Sequence, residues 1–213
     1  MMASSSASTA PSGRRAFWLK HLHSWHWISS ALCLIGMLLF SVTGITLNHA
    51  AQIEGTPDVQ TQEVELPAPL LSLMQAQAKK PEPALPSEVS TWMRDTLQMV
   101  PGTRAAEWSE DEFYLPLPRP GGDAWISIDL ASGAVSTERT DRGWISYFND
   151  LHKGRNTGAW WRWFIDVFAI ACIVFTITGL LLLQMHSRQR PGTWPLVGLG
   201  FVVMVLIAVL FIH

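Results

Sequence analysis

Four histidines, His26, His49, His152 and His186, stand near the ends of two apolar segments, residues 28–47 and 163–183. Imidazoles above and below a porphyrin suit a haem iron that transfers electrons rather than one that binds oxygen. His26 precedes the first segment by two residues and His49 follows it by two. Their separation of 23 residues corresponds to roughly 35 Å of helix. One therefore belongs at each membrane face. His186 lies three residues beyond the second segment, and His152 eleven residues before it. Sorting by face pairs His26 with His186 and His49 with His152. There is no CxxCH, so a covalent haem is excluded and any haem would be haem b, one or two per chain. Two histidines per site leave a zinc tetrahedron half filled. His21 and His23 are alternatives to His26, and His213 closes the sequence. A second reading stays open for every one of these residues, because an amphipathic side chain at a membrane edge also snorkels to the interface without binding anything.

The elements that must position these histidines are membrane helices. ISSALCLIGMLLFSVTGITL (28–47), WFIDVFAIACIVFTITGLLLL (163–183) and WPLVGLGFVVMVLIAVLFI (194–212) are each long and apolar enough to span. In lipid the backbone must satisfy its own hydrogen bonds, which makes them helices. The first is too long for the apolar core of a signal peptide and reads as an uncleaved anchor. All acidic residues fall between Glu54 and Asp166, whereas Arg14, Arg15, Lys20, Arg188 and Arg190 lie where no acid is found. Short basic loops stay inside. The N-terminus and 184–193 are then cytoplasmic, and 48–162 is periplasmic. Lys153, Arg155 and Arg162 run against this rule and are free to meet anionic groups. Haem propionates would find Arg155 and Arg162 outside, and Lys20 and Arg188 inside. Tryptophans crowd the predicted boundaries (Trp18, Trp25, Trp27, Trp144, Trp160, Trp161, Trp163, Trp194), as aromatic belts do. Two spans share an echo, SVTGITL at 41–47 and TITGLLL at 176–182. Its glycines let helices approach closely, or make room for a porphyrin. Cys33 and Cys172 both fall inside spans and read as small packing residues.

The outside region reads as a small α+β domain. Residues 56–69, rich in proline and acid, read as a linker. Helices are expected over 69–80 and 86–100, the second capped by Ser87 with Val89, Trp92, Met93, Leu97 and Val100 along one side. Strands are expected at 104–109, 112–118, 123–130 and 135–140, with turns at the intervening glycines. No P-loop, dinucleotide fingerprint, nucleophile elbow or HExxH occurs, so the chain offers no flavin, nicotinamide or metalloprotease site by motif. The acidic outside region and the lack of a basic tail argue against nucleic acid. The fold class is a membrane α-helical protein, three transmembrane helices with an α+β extracytoplasmic domain inserted between the first two.

WHWISSALCLIGMLLFSVTGITLNHA (25–50) resembles the first helix of PepSY-associated transmembrane proteins. GWISYFNDLHKGRNTGAWWRWFIDVFAIACIVFTITGLLLLQMH (143–186) resembles their later helix, and GGDAWISIDLASG (121–133) their PepSY-type module. The resemblance covers most of 17–213. Residues 1–16, small and polar at their start, read as a disordered cytoplasmic tail, and the resemblance implies a first transmembrane helix with flanks (17–50) and a periplasmic PepSY-like domain (51–142). A membrane-proximal segment with the second helix (143–186) and a loop with the third (187–213) complete the chain. Larger members of that family are haem-containing ferric-siderophore reductases of the bacterial inner membrane. Carried over, His26, His49, His152 and His186 would be the ligands. Electrons would pass from a separate donor to a periplasmic acceptor or ferric chelate, in a homo- or hetero-oligomer surrounded by membrane lipid. PepSY modules also imply a different role, a membrane-anchored accessory or sensor protein without haem.

Overall fold

The computed structural model describes residues 13–53, 55–79, 85–102 and 104–212. Its elements run α1 (Gly13–Asn48), α2 (Ala50–Ile53), β1 (Asp58–Glu65), α3 (Ala68–Ala78), α4 (Ser87–Thr96), β2 (Glu107–Trp108), β3 (Glu112–Pro116), β4 (Gly122–Asp129), β5 (Ala134–Asp141), α5 (Gly143–Lys153), α6 (Ala159–His186), a 3₁₀ turn (Ser187–Gln189) and α7 (Thr193–Phe211). Three helices, α1, α6 and α7, are long and apolar enough to cross a membrane, and they flank the α/β extracytoplasmic domain. The chain divides into two compact units, 1–39 with 164–213, and 40–163.

In the membrane unit, α1 and α6 run antiparallel. Cys33 and Ser29 are buried on α1 at the spacing of one helical face. Gly36 lies against the ring of Phe168, and a Cβ there would overlap that ring. The Cys33 and Cys172 thiols meet within hydrogen-bonding reach, and both are free. Further along, Arg15 donates to the carbonyl of Met185 (3.3 Å). Small residues at these contacts let the backbones approach, the packing that substitutes for a hydrophobic driving force in lipid. The large side chains of α7 are exposed all round, as befits a helix solvated by acyl chains. Trp194 Nε1 donates to Gln184 Oε1 (2.7 Å) and ties the start of α7 to α6.

The second unit carries a five-stranded antiparallel sheet, order β1-β5-β4-β3-β2. Alternation sorts its residues. Phe113, Leu115, Ile126, Ile128 and Val135 face α3 and α4 and are buried with Met74, Val89, Met93 and Leu97. Each such side chain contributes about 1.5–3 kcal/mol relative to exposure. The α4 helix ends where Gln98 turns left-handed (φ 56°), so Val100, expected on its apolar side, is 63% exposed. Ser87 does not cap α4; Pro86 occupies the cap, and the Ser87 hydroxyl donates to Glu88.

The expected linker at 56–69 holds strand β1 instead. It escaped the sequence pattern because seven of its eight residues are exposed, so it carries no apolar alternation. Helix α1 begins at Gly13, within the expected tail. Residues 1–12 and His213 lie outside the described residues. Helix α5 turns its polar side inward. Asn149 and Asp150 are buried, and Trp144, Ile145 and Phe148 are exposed. Asp150 accepts from the Gly121 amide (2.9 Å), and Asn149 accepts from Thr46 Oγ1 on α1 (2.8 Å).

Candidate functional site

Helix α1 presents His26 to α6 in the membrane unit. Its Nδ1 lies 3.1 Å from Thr178 Oγ1 and 3.2 Å from the Phe175 carbonyl. Thr178 spends its one proton on its own helix, donating to the Val174 carbonyl (2.7 Å). Both neighbours of Nδ1 therefore accept, Nδ1 carries the proton, and the Nε2 lone pair is left for another partner. The ring stacks on Phe175 (centroids 4.6 Å, 14° between planes). Gly179 supplies the space, since a Cβ there would stand 3.2 Å from His26 Cε1.

Two more imidazoles join this end. His23 Nδ1 donates to the Leu19 carbonyl and His186 Nδ1 to the Leu182 carbonyl, each at 2.8 Å. Both rings thus also present Nε2. The His23 and His186 rings stand edge to face with centroids 6.2 Å apart and planes at 89°. His23, His26 and His186 line one cavity of about 480 Å³ together with Gly179, Leu182 and Arg190.

In the second unit a matching seat holds His152. Thr43 donates its hydroxyl proton to the Phe40 carbonyl (3.2 Å) and stands 2.7 Å from His152 Nδ1. The His152 ring lies over Phe40 (centroids 4.9 Å), and a Cβ on Gly44 would stand 3.7 Å from its Cε1, an ordinary contact. The repeated Thr-Gly pair thus has one structural meaning at both sites: the hydroxyl orients an incoming imidazole and the glycine leaves room for it. His49 is not part of this seat. It is exposed, and its Nδ1 bonds the Ile45 carbonyl (3.0 Å). It follows Thr43 by six residues, which places it roughly 120° further round the helix. No contact joins His49 to His152 among the described residues.

Comparison with known families places the whole assembly. The family model described as PepSY_TM-like matches residues 17–213. The chain belongs to the PepSY_TM-like family. No curated protein and no solved structure matches it. The match spans all three membrane helices of this PepSY_TM-like protein and its extracytoplasmic domain.

Of the basic residues expected to meet an anionic group, Lys20, Arg155, Arg162 and Arg188 are exposed. None of the four lines the three-histidine cavity; Arg190 does. Arg190 is four residues beyond His186, one helical turn in sequence, which is the signal that could have found it. His23, first weighed as an alternative to His26, joins it rather than replacing it. No group of three or more His, Cys, Asp or Glu suited to a metal ion occurs among the described residues.

The extracytoplasmic domain of the PepSY_TM-like chain has a second feature that sequence reasoning missed. Among the described residues β1 pairs with β5 on one side alone and forms an edge of the sheet. The sheet face turned away from the helices is acidic. Partial desolvation raises the Tyr114 hydroxyl pKa, and the carboxylates of Asp123, Glu107, Glu112 and Glu138 raise it further. Glu63 and Glu65 extend that face along β1 by the strand's alternation. Tyr114 and Trp125 form an aromatic pair within it (centroids 6.2 Å).

Proposed function

We propose that this protein is a membrane-anchored PepSY_TM-like accessory protein whose extracytoplasmic domain holds an extended, basic segment of a partner along β1. The observation that carries this is the eight-residue edge strand, exposed and bordered by an acidic, aromatic sheet face. A free edge offers unpaired amides and carbonyls to an incoming strand. The carboxylates select a basic one, and the Tyr114–Trp125 pair favours cations. The protein sits in the bacterial inner membrane, with its N-terminus and the 187–193 loop cytoplasmic on the strength of their basic residues.

The test uses adjacent prolines. Neighbouring strand residues turn their amides to opposite sides, so of Thr61→Pro and Gln62→Pro one breaks the ladder to β5 and the other blocks the free edge. A photocrosslinker at Val59 in the intact protein in its native membrane should give a discrete adduct. The edge-blocking proline should abolish that adduct in a folded protein, and alanine at His26, His49, His152 or His186 should leave it intact. An adduct indifferent to both prolines rejects this reading.

A second reading has its own observation, the three imidazoles that line one cavity with Nε2 presented. Haem b would be held there by His186 with His23 or His26, and Arg190 would face its propionates. When bound, haem supplies a one-electron couple. What supports this reading is that His23, His26 and His186 share one cavity with Nε2 presented. In the second unit His152 has no histidine partner among the described residues, so passage of electrons to a ferric siderophore or other outside acceptor would need a further ligand as well as a separate donor. Protein made with ample haem should show a Soret band that His186→Ala removes and His49→Ala spares. A haem-free preparation rejects this second reading alone.

A further inference from the structure

The membrane unit carries a groove that neither reading uses. It measures about 530 Å³ and lies between α1 and α6 at the end where α1 begins, lined by Arg14, Arg15, Trp18, Leu22, Leu181 and Met185, with Gln184 engaged by Trp194. We propose that it binds one anionic phospholipid, with the phosphate on Arg14 and Arg15 and an acyl chain along Leu22 and Leu181.

The lining has the polarity of a phospholipid, two guanidiniums at one end and apolar side chains at the other. Charge decides the headgroup. The segments that make up this unit contain Arg14, Arg15, Lys20, Arg188 and Arg190 against a single acid, Asp166. No carboxylate is found in the first turn of α1, where the helix dipole ordinarily favours one. An anion there relieves both the paired arginines and the dipole. Arg15 is already fixed at the rim by its bond to the Met185 carbonyl (3.3 Å), which uses one nitrogen of a five-donor group. The remaining donors of Arg15 and those of Arg14 suit the fork geometry of a phosphate. Trp18, 52% exposed, is of the type that settles at headgroup depth beside such a site. Basic pockets between membrane helices bind anionic headgroups on these terms.

The experiment is native mass spectrometry of the full-length protein in mild detergent, titrated separately with phosphatidylglycerol, phosphatidylcholine of matched chains, and water-soluble glycerol phosphate. One phosphatidylglycerol should be retained in preference to phosphatidylcholine. Each arginine near a headgroup is worth about 1 kcal/mol, so Arg14→Gln should weaken retention by about fivefold. Arg14→Gln is the decisive variant, because Arg15 also ties the two helices together. Arg94→Gln, which removes the same charge from α4, should change nothing, and circular dichroism should show all variants folded. Equal retention of the two lipids overturns the proposal, as does undiminished phosphatidylglycerol retention by Arg14→Gln. Glycerol phosphate binding as tightly as the lipid overturns it too, since the acyl wall would then contribute nothing.

Discussion

The two Thr-Gly seats use the same local chemistry in different company. Thr178 and Gly179 receive His26; Thr43 and Gly44 receive His152. In each, the threonine hydroxyl reaches both a carbonyl of its own helix and the imidazole Nδ1, and at His26 the neighbouring Phe175 carbonyl makes Nδ1 the donor. The first seat adjoins two further imidazoles and a cavity. The second holds one ring against Phe40, with His49 elsewhere on the helix. A seat of this kind is therefore a way to fix a ring, and whether that ring serves packing or a ligand depends on what stands beyond its Nε2. The fit also differs. A Cβ at Gly179 would press on its histidine at 3.2 Å, whereas one at Gly44 would touch at 3.7 Å.

The most damaging test of this comparison is Gly36→Leu. Its side chain has to enter the volume of the Phe168 ring. Overpacking of this order costs about 1–3 kcal/mol or more. It should separate α1 from α6, and the yield of copper-catalysed crosslinking between Cys33 and Cys172 in membranes should fall severalfold. Unchanged crosslinking would mean that the helix contact does not hold the first seat together.

Smaller changes sharpen the difference between the seats. Gly179→Ala should lower thermal stability in detergent by about 1 kcal/mol, and Gly44→Ala should stay within about 0.5 kcal/mol of the parent. Thr178→Val and Thr43→Val should cost alike, about 1 kcal/mol each, since each removes one hydrogen bond to a histidine. Equal penalties for the two glycines would erase the distinction in fit. Unequal penalties for the threonines would mean that the hydroxyls do different work.

Acid gives the smallest effect and marks the range in which the seats can be compared. Asp129 accepts from the Ser132 amide and hydroxyl and from the Ala131 amide, and these bonds hold its carboxyl below its ordinary value near 3.8. A depressed carboxyl stabilises the fold fully above its unfolded value, and that stability is lost as the pH falls through the lower folded value. The share of the sheet's stability that Asp129 contributes should therefore be lost only below about pH 4, read by tryptophan fluorescence during acid titration. Asp129→Asn should flatten that limb of the curve. Loosening of equal size in the variant would place its origin elsewhere.

Much of this architecture was legible in the sequence. Three spans follow from uninterrupted apolar length, and β3, β4 and β5 from alternation bounded by glycine turns. β1 was not legible, because an edge strand exposed on both faces needs no apolar period. The Ser87 cap failed because Pro86 already supplies the entry to α4 and leaves the hydroxyl to Glu88. The Thr-Gly echo was visible as a repeat, but its use was not. Neither segment contains the histidine it receives.

The sequence by itself determined spacing along the spans. A rise of about 1.5 Å per residue puts His26 and His49 roughly 35 Å apart, at opposite ends of the first span. It also determined the charge pattern that sets the chain in the membrane. Only the tertiary structure decided partnership, which depends on direction around the helix axis and on the neighbour opposite. That is why His26 finds Thr178, His152 finds Thr43, His23 and Arg190 join His186 at one cavity, and His49 faces another way.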